Sequence, residues 1–283
     1  MTTFVIARLT FREAARRRIL LAGLVLGIAF LIVFSVGFHY ILLEMERSMG
    51  GRGGRVQVNE ISNFLLMAGL YVVNFLTVMM AVLTSVDTLS GEIASGTIHT
   101  LVSKPVRRWE IVLGKWLGFM GMFTLYVLLM AGGVVAIVSL RAGYTPLDVE
   151  RGIALVWLNS LILLSVSLLG GAMLSTLANG VLVFGLYGVA FIGGWIEQIG
   201  ALIPENAAIQ TTTNIGIITS LLLPSEALWK RAAYEIQSPL SGAMGMTPFS
   251  SASVPSPVMV VYAVLYAGAL LLLAMAQFKK RDL

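Results

Sequence analysis

The chain has 283 residues, of which 58% are hydrophobic and 12% charged, with a mean hydropathy of +0.90 and a formal net charge of +5. That leaves too little polar surface to coat a water-soluble fold, so the composition is that of a membrane protein. With no cysteine, a disulfide framework and thiolate metal or redox sites are excluded.

Residues 1–18 carry Arg8, Arg12, Arg16, Arg17 and Arg18 ahead of an apolar run. The run has full membrane length, no small-x-small cleavage site follows it, and more spans come after, so a signal peptide is not expected. As a helix, this segment sets Phe4, Ala7, Phe11 and Ala14 along one face with Arg8, Arg12 and Arg16 beside it. Such a helix is expected to lie in the membrane interface with its arginines among the head groups.

A helix needs about 20 apolar residues to cross a bilayer core. Six segments qualify, at residues 19–38, 64–86, 112–140, 153–178, 181–203 and 258–277. They far exceed the length of a barrel strand, and a lone strand would leave its backbone unsatisfied in lipid. The expected fold is therefore an all-α integral membrane protein forming one transmembrane domain over residues 1–283, with a short return between the fourth and fifth spans at Asn179 and Gly180.

Alternate loops differ in charge. Twelve of the 19 basic residues fall on the side that holds both termini and the loop between spans 2 and 3, giving that side a net charge of +7 against −2 on the other. The positive-inside rule makes that side cytoplasmic.

That loop, SGEIASGTIHTLVSKPVRRWEIVLGKWLG, begins at Ser90 and ends at Gly118. At 100° per residue, Ala94, Ile98, Leu101 and Val102 share one face of a short helix over 90–103, and Glu92, Ser95, Gly96, His99 and Ser103 the other. Pro105 disfavours helix at Lys104 and breaks the run, after which Arg107, Arg108, Trp109 and Glu110 lead into span 3. A simple reversal would need only a few residues.

The segment resembles the cytoplasmic loop of the permease subunits of ABC-2 type transporters, a family of six-span exporters. Glu92, Gly96, Thr97, Leu101, Pro105, Arg108, Glu110, Gly114 and Lys115 occupy the positions of that pattern. The likeness extends to the N-terminal interfacial helix, the short return, the long outer segment before the last span and the ending FKKRDL. The resemblance implies a coupling helix that docks in a groove of a separate cytoplasmic ATPase subunit, with Glu92 and His99 as hydrogen-bonding partners and Gly96 allowing close approach. It also implies ATP and magnesium bound by that partner and no cofactor in this chain, a second copy or similar permease, membrane lipids around the spans, and the plasma (inner) membrane of a prokaryote. No nucleic-acid partner is expected.

Other chemistry finds little support. A phosphate-binding loop needs G-x-x-x-x-G-K-[ST], whereas Gly91 to Thr97 lacks the lysine and Gly50 to Arg55 lacks Lys-Ser/Thr. The two histidines, His39 and His99, fall on opposite sides of the expected topology, so no metalloprotease centre is expected. An ion-driven secondary transporter would carry ionisable groups at the midplane. The spans hold few: Glu197 near the outer end of the fifth, with Asn74, Asn159 and Asn179 as lesser polar points. Glu197 reads either as an exit gate or as a carboxylate at the water interface beside Trp195. In the fifth span Gly185, Gly188, Gly193 and Gly194 fit a tight seam inside the chain or a homodimer seam; spacing does not separate the two, and a dimer seam at Gly185 and Gly188 is the expectation. Residues 204–257 form an extracytoplasmic segment containing an amphipathic stretch, PSEALWKRAAYEI, and a Ser/Pro/Gly-rich loop; the segment either caps the exit or meets an extracytoplasmic partner.

The expected function is a permease subunit that couples ATP hydrolysis in a separate chain to movement of cargo or force. A self-sufficient secondary transporter and a non-transporting scaffold are the alternatives.

Overall fold

The structure is a computed structural model that describes residues 2–48, 54–98, 106–200, 206–238 and 253–281. Every element among them is helical. In chain order these are α1 (Thr2–Arg16), α2 (Arg18–Ser48), α3 (Arg55–Ser85), α4 (Asp87–Ala94), α5 (Arg108–Ala142), α6 (Val149–Met173), α7 (Thr176–Gly200), α8 (Asn206–Leu222), α9 (Ser225–Ile236) and α10 (Pro257–Lys280).

Among the described residues six helices are long and apolar enough to cross a membrane: α2, α3 with α4, α5, α6, α7 and α10, hereafter spans 1 to 6. The chain is an all-α multi-pass membrane protein, as composition and hydropathy require. Span 4 is the axis: 72% of its most apolar window is buried, against 11% for span 1 and 17% for span 6. Around Ile162, Leu163, Leu164 and Leu168 it gathers spans 2, 3, 5 and 6 and the short helix α9. Spans 1 and 6 turn most of their surface outward, as helices surrounded by hydrocarbon can.

The helix α1 departs from expectation. Its buried residues are Ile6, Ala7, Thr10 and Ala14, and they pack on the first turns of span 3. Two glycines spaced four apart make this contact close. A Cβ at Gly114 would stand 2.7 Å from the Ile6 side chain, and one at Gly118 would stand 2.7 Å from the Ala7 carbonyl oxygen. The face read as lipid-directed is therefore divided: Ala7 and Ala14 meet protein, while Phe4 is exposed. Small residues win this face because they let two backbones approach, and the gain in dispersion contacts requires no polar group.

Two boundaries also move. The chain reverses between spans 4 and 5 at Leu174 and Ser175, not at Asn179 and Gly180. Asn179 is instead in the first turn and a half of span 5 and fully buried, its amide donating to the carbonyls of Val86 and Ser167, both at 2.9 Å. A side-chain amide that joins spans 2, 4 and 5 in this way belongs inside the bundle, not in a turn.

The second is the start of the loop helix, expected at residue 90. Dihedrals stay helical through Val86, and α4 continues span 2 to Ala94. There Ser95 closes the last turn and Gly96 takes φ 72°, the left-handed conformation in which glycine ends a helix. Thr97 and Ile98 are helical again, so a separate helix begins no earlier than Thr97. Residues 99–105, with His99, Leu101 and Pro105, lie outside the described residues.

The close approach of α1 to span 3 predicts that Gly118→Val lowers the apparent melting temperature of the detergent-solubilised protein by about 5 °C. Gly268→Val in span 6 serves as the control: a Cβ there meets nothing among the described residues within 4 Å, and the melting temperature should stay put.

Candidate functional site

Charged residues collect at the two ends of the bundle. At the end that holds the connection between spans 2 and 3, Lys115 donates to Glu92 in a buried ion pair, the two side chains only 4% and 14% exposed. The pair joins the end of α4 to the second turn of span 3, the two points from which the connecting segment leaves and to which it returns. Beside it, Arg17 bonds Glu13 at 2.8 Å and lies 3.6 Å from Asp87, so the link between α1 and span 1 is tied to the start of α4. Glu92 Oε2 is buried, with no hydrogen-bond partner among the described residues. Its carboxylate thus faces inward, toward Lys115, and not outward as a docking residue would.

Arg108 is occupied as well. Its guanidinium donates to the carbonyls of Lys279 (3.3 Å) and Arg281, where span 6 ends. Arg281 in turn donates to the Ala172 carbonyl at the end of span 4, at 2.6 Å. Cations at these positions satisfy carbonyls that the helices leave unpaired and oppose the negative ends of their dipoles. Span 3 opens with Glu110 accepting from the Arg107 backbone amide at 3.1 Å. Thr97 is exposed, and its hydroxyl meets that of Ser95 at 2.8 Å.

Between the ends, polar contacts are few and paired across helices. Asn159 donates to Asn74 (3.2 Å), linking spans 4 and 2. Trp116 donates to Ser165 (3.0 Å) and Trp157 to Thr124 (2.9 Å), linking spans 3 and 4. In span 2, Thr84, Ser85, Thr88 and Ser90 each bond a carbonyl four residues back. The Val86 carbonyl accepts from both Ser90 and Asn179, and the regular ladder is interrupted here. Back-bonded hydroxyls bend helices in this way.

At the opposite end Glu197 is neither exposed nor unpaired. Lys230 of α9 donates to it at 2.5 Å, and Ser253 donates to its other oxygen. The pair lines a cavity of about 320 Å³ between span 5, α8, α9 and the approach to span 6. Glu226, one turn before Lys230, packs on Gly194. Burial lifts its carboxyl from 4.5 to about 7, with the Lys230 charge pulling the other way. Gly193 and Gly194 meet Thr219 and Glu226 inside the chain, whereas Gly185 and Gly188 meet nothing among the described residues within 4 Å. The two glycine pairs on span 5 therefore serve different faces.

Lys230 and Ser253 escaped the sequence-based site, while Lys115 and Asn179 entered the sequence reading only as a position of the family pattern and as a polar point at a turn. A lysine two turns into a 35-residue apolar helix demands a counter-ion, and Gly114-x-x-x-Gly118 is a close-packing pattern; both were readable signals.

A bundle of six apolar helices, cationic at one end, defines a multi-pass membrane protein. Residues 4–283 match the model of the ABC-2 family transporter protein. The chain belongs to that family and is an ABC transporter permease, the membrane component of such transporters, which carries no ATPase site of its own. Permeases of this family generally work with a cytoplasmic ATPase subunit. No curated protein matches the chain.

Two outcomes follow from these buried charges. Lys115→Met leaves Glu92 buried and unpaired and should cost about 3–5 kcal/mol in denaturant unfolding, most of it restored when Glu92→Leu is added. Glu226 holds a proton in the folded state that the unfolded chain releases, so its contribution to stability, present below pH 4.5, is lost as pH rises through about 7. Glu226→Gln should therefore be more stable than the parent at pH 8, with the gap shrinking by pH 5 in thermal melts.

Proposed function

We propose that this permease moves cargo outward in a complex with a separate ATPase, and that the connection from Thr97 to Arg107 is the element on which the ATPase acts. The observation that carries this reading is the buried Glu92–Lys115 pair. An exposed loop pushed by a partner would bend without moving the bundle. With its two roots clamped together by a charge pair in a low-dielectric setting, a push on the loop displaces spans 2 and 3 as one body.

In this reading Glu92 and Lys115 transmit force, Gly96 fixes the direction in which the loop leaves, and Thr97 belongs to the contact surface with the partner. The pair lies next to the α1 contact on span 3, so α1 moves with the same body. Glu197, Lys230 and Ser253, around the cavity at the other end, form the outlet-side gate: an ion pair there separates only if water or cargo replaces each partner. The outward face of span 5 with Gly185 and Gly188 is the seam for a second permease copy. The cationic end faces the cytoplasm of a prokaryotic cell, with both termini on that side.

The decisive experiment expresses the tagged chain with its native membrane background and purifies it in mild detergent. An ATPase subunit should co-purify, and transport-linked ATPase stimulation should be lost in Thr97→Arg, whose exposed site leaves the melting temperature unchanged. If the chain purifies alone, or if Thr97→Arg retains full stimulation, the docking role is wrong.

A further inference from the structure

The flank of α1 beside its contact with span 3 borders a second cavity, almost wholly apolar, with Tyr126 in its lining. A slot of about 210 Å³ opens between α1, span 1, span 2 and span 3, walled by Phe11, Ala15, Leu24, Met80, Met122 and Leu129. No carboxylate, ammonium or guanidinium lines it. Two flexible methionines form part of the wall, which suits a chain-like occupant of variable shape.

The rim has the opposite character. Phe11 and Ala15 immediately precede Arg12 and Arg16, Arg8 lies one turn before Arg12, and Arg18 opens span 1. All four arginines are exposed, and among the described residues the acidic groups of this region, Glu13 and Asp87, both pair with Arg17. Four exposed cations thus flank, in sequence, the residues of α1 and span 1 that wall an alkyl-sized slot, with no counter-ion among the described residues. The positive-inside rule accounts for the arginines alone, but it requires no slot beneath them.

We infer that the slot holds one acyl chain of an anionic phospholipid whose phosphate is bound by Arg12 and Arg16. Neither part of the site suffices alone. A zwitterionic lipid would fill the slot but bring its own cation to the arginines, and inorganic phosphate would meet the arginines with nothing for the slot. Anionic head groups favour clustered arginine over isolated charge, and guanidinium offers phosphate two parallel hydrogen bonds. The site is independent of the ATPase reading, since it rests on α1 and spans 1 to 3 alone.

Native mass spectrometry of the full chain tests it, with dioleoyl phosphatidylglycerol or dioleoyl phosphatidylcholine added to the detergent-solubilised protein. Phosphatidylglycerol should remain bound at collision energies that strip phosphatidylcholine. Its occupancy should fall about tenfold or more in R12Q/R16Q, and to a similar extent in A15W, where the indole plugs the slot. Ala15 and the two arginines are exposed, and L125W provides a second plug from the opposite wall. Equal retention of both lipids would overturn the arginine role, and undiminished phosphatidylglycerol binding in both plug variants would overturn the slot. Displacement by millimolar inorganic phosphate would also overturn it, by showing that charge alone holds the ligand.

Discussion

Hydrocarbon offers backbone amides no water, and the whole architecture answers to that constraint. Helices satisfy their own interiors, so the difficulty concentrates at their ends, where carbonyls remain unpaired. Here the chain uses its own cations to close them: Arg108 covers the end of span 6, and Arg281 covers the end of span 4. The same end that needs positive charge for orientation thus uses it for capping. Tyr262 and Tyr266 of span 6 do the corresponding work for α8, donating to the carbonyls of Leu221 and Leu222.

Polar side chains inside the bundle follow from the same scarcity of water. Asn74 with Asn159, and Trp116 and Trp157 with their hydroxyl partners, sit where a lone group would be costly. These pairs converge on span 4, the most buried span. They fix its rotation against spans 2 and 3, because an apolar interface tolerates rotation that a hydrogen bond does not. The charged pairs stay nearer the ends, where water can reach part of each cluster.

The six spans and the amphipathic α9 were legible in the sequence, because hydropathy over about 20 residues is a property of composition and not of contacts. What the sequence hid were relations between distant residues. Glu92 looked like a surface residue on the polar face of a short helix; its partner lies 23 positions on, inside an apolar run. Asn179-Gly180 carried the signature of a turn, yet the same side chain that could make a turn makes two interhelical bonds. For Gly185 and Gly188 the outward direction was undetermined by spacing alone, and only the packing of Gly193 and Gly194 separates the two faces. In α1 the pattern marked an apolar face, and the glycines of span 3 decide which part of it meets protein.

The near-continuous helix from Arg55 to Ala94 spans 40 residues. At 1.5 Å per residue it is about 60 Å long, while a bilayer with its head groups measures only about 40–45 Å. Span 2 is therefore longer than a bilayer is thick, and any rotation at one tip is geared by its length. A tilt of about 10° would carry the far tip roughly 10 Å sideways without any helix unwinding. Val86, where α3 passes into α4, is the point at which this long helix is tied to span 5, through the bond that Asn179 donates to its carbonyl.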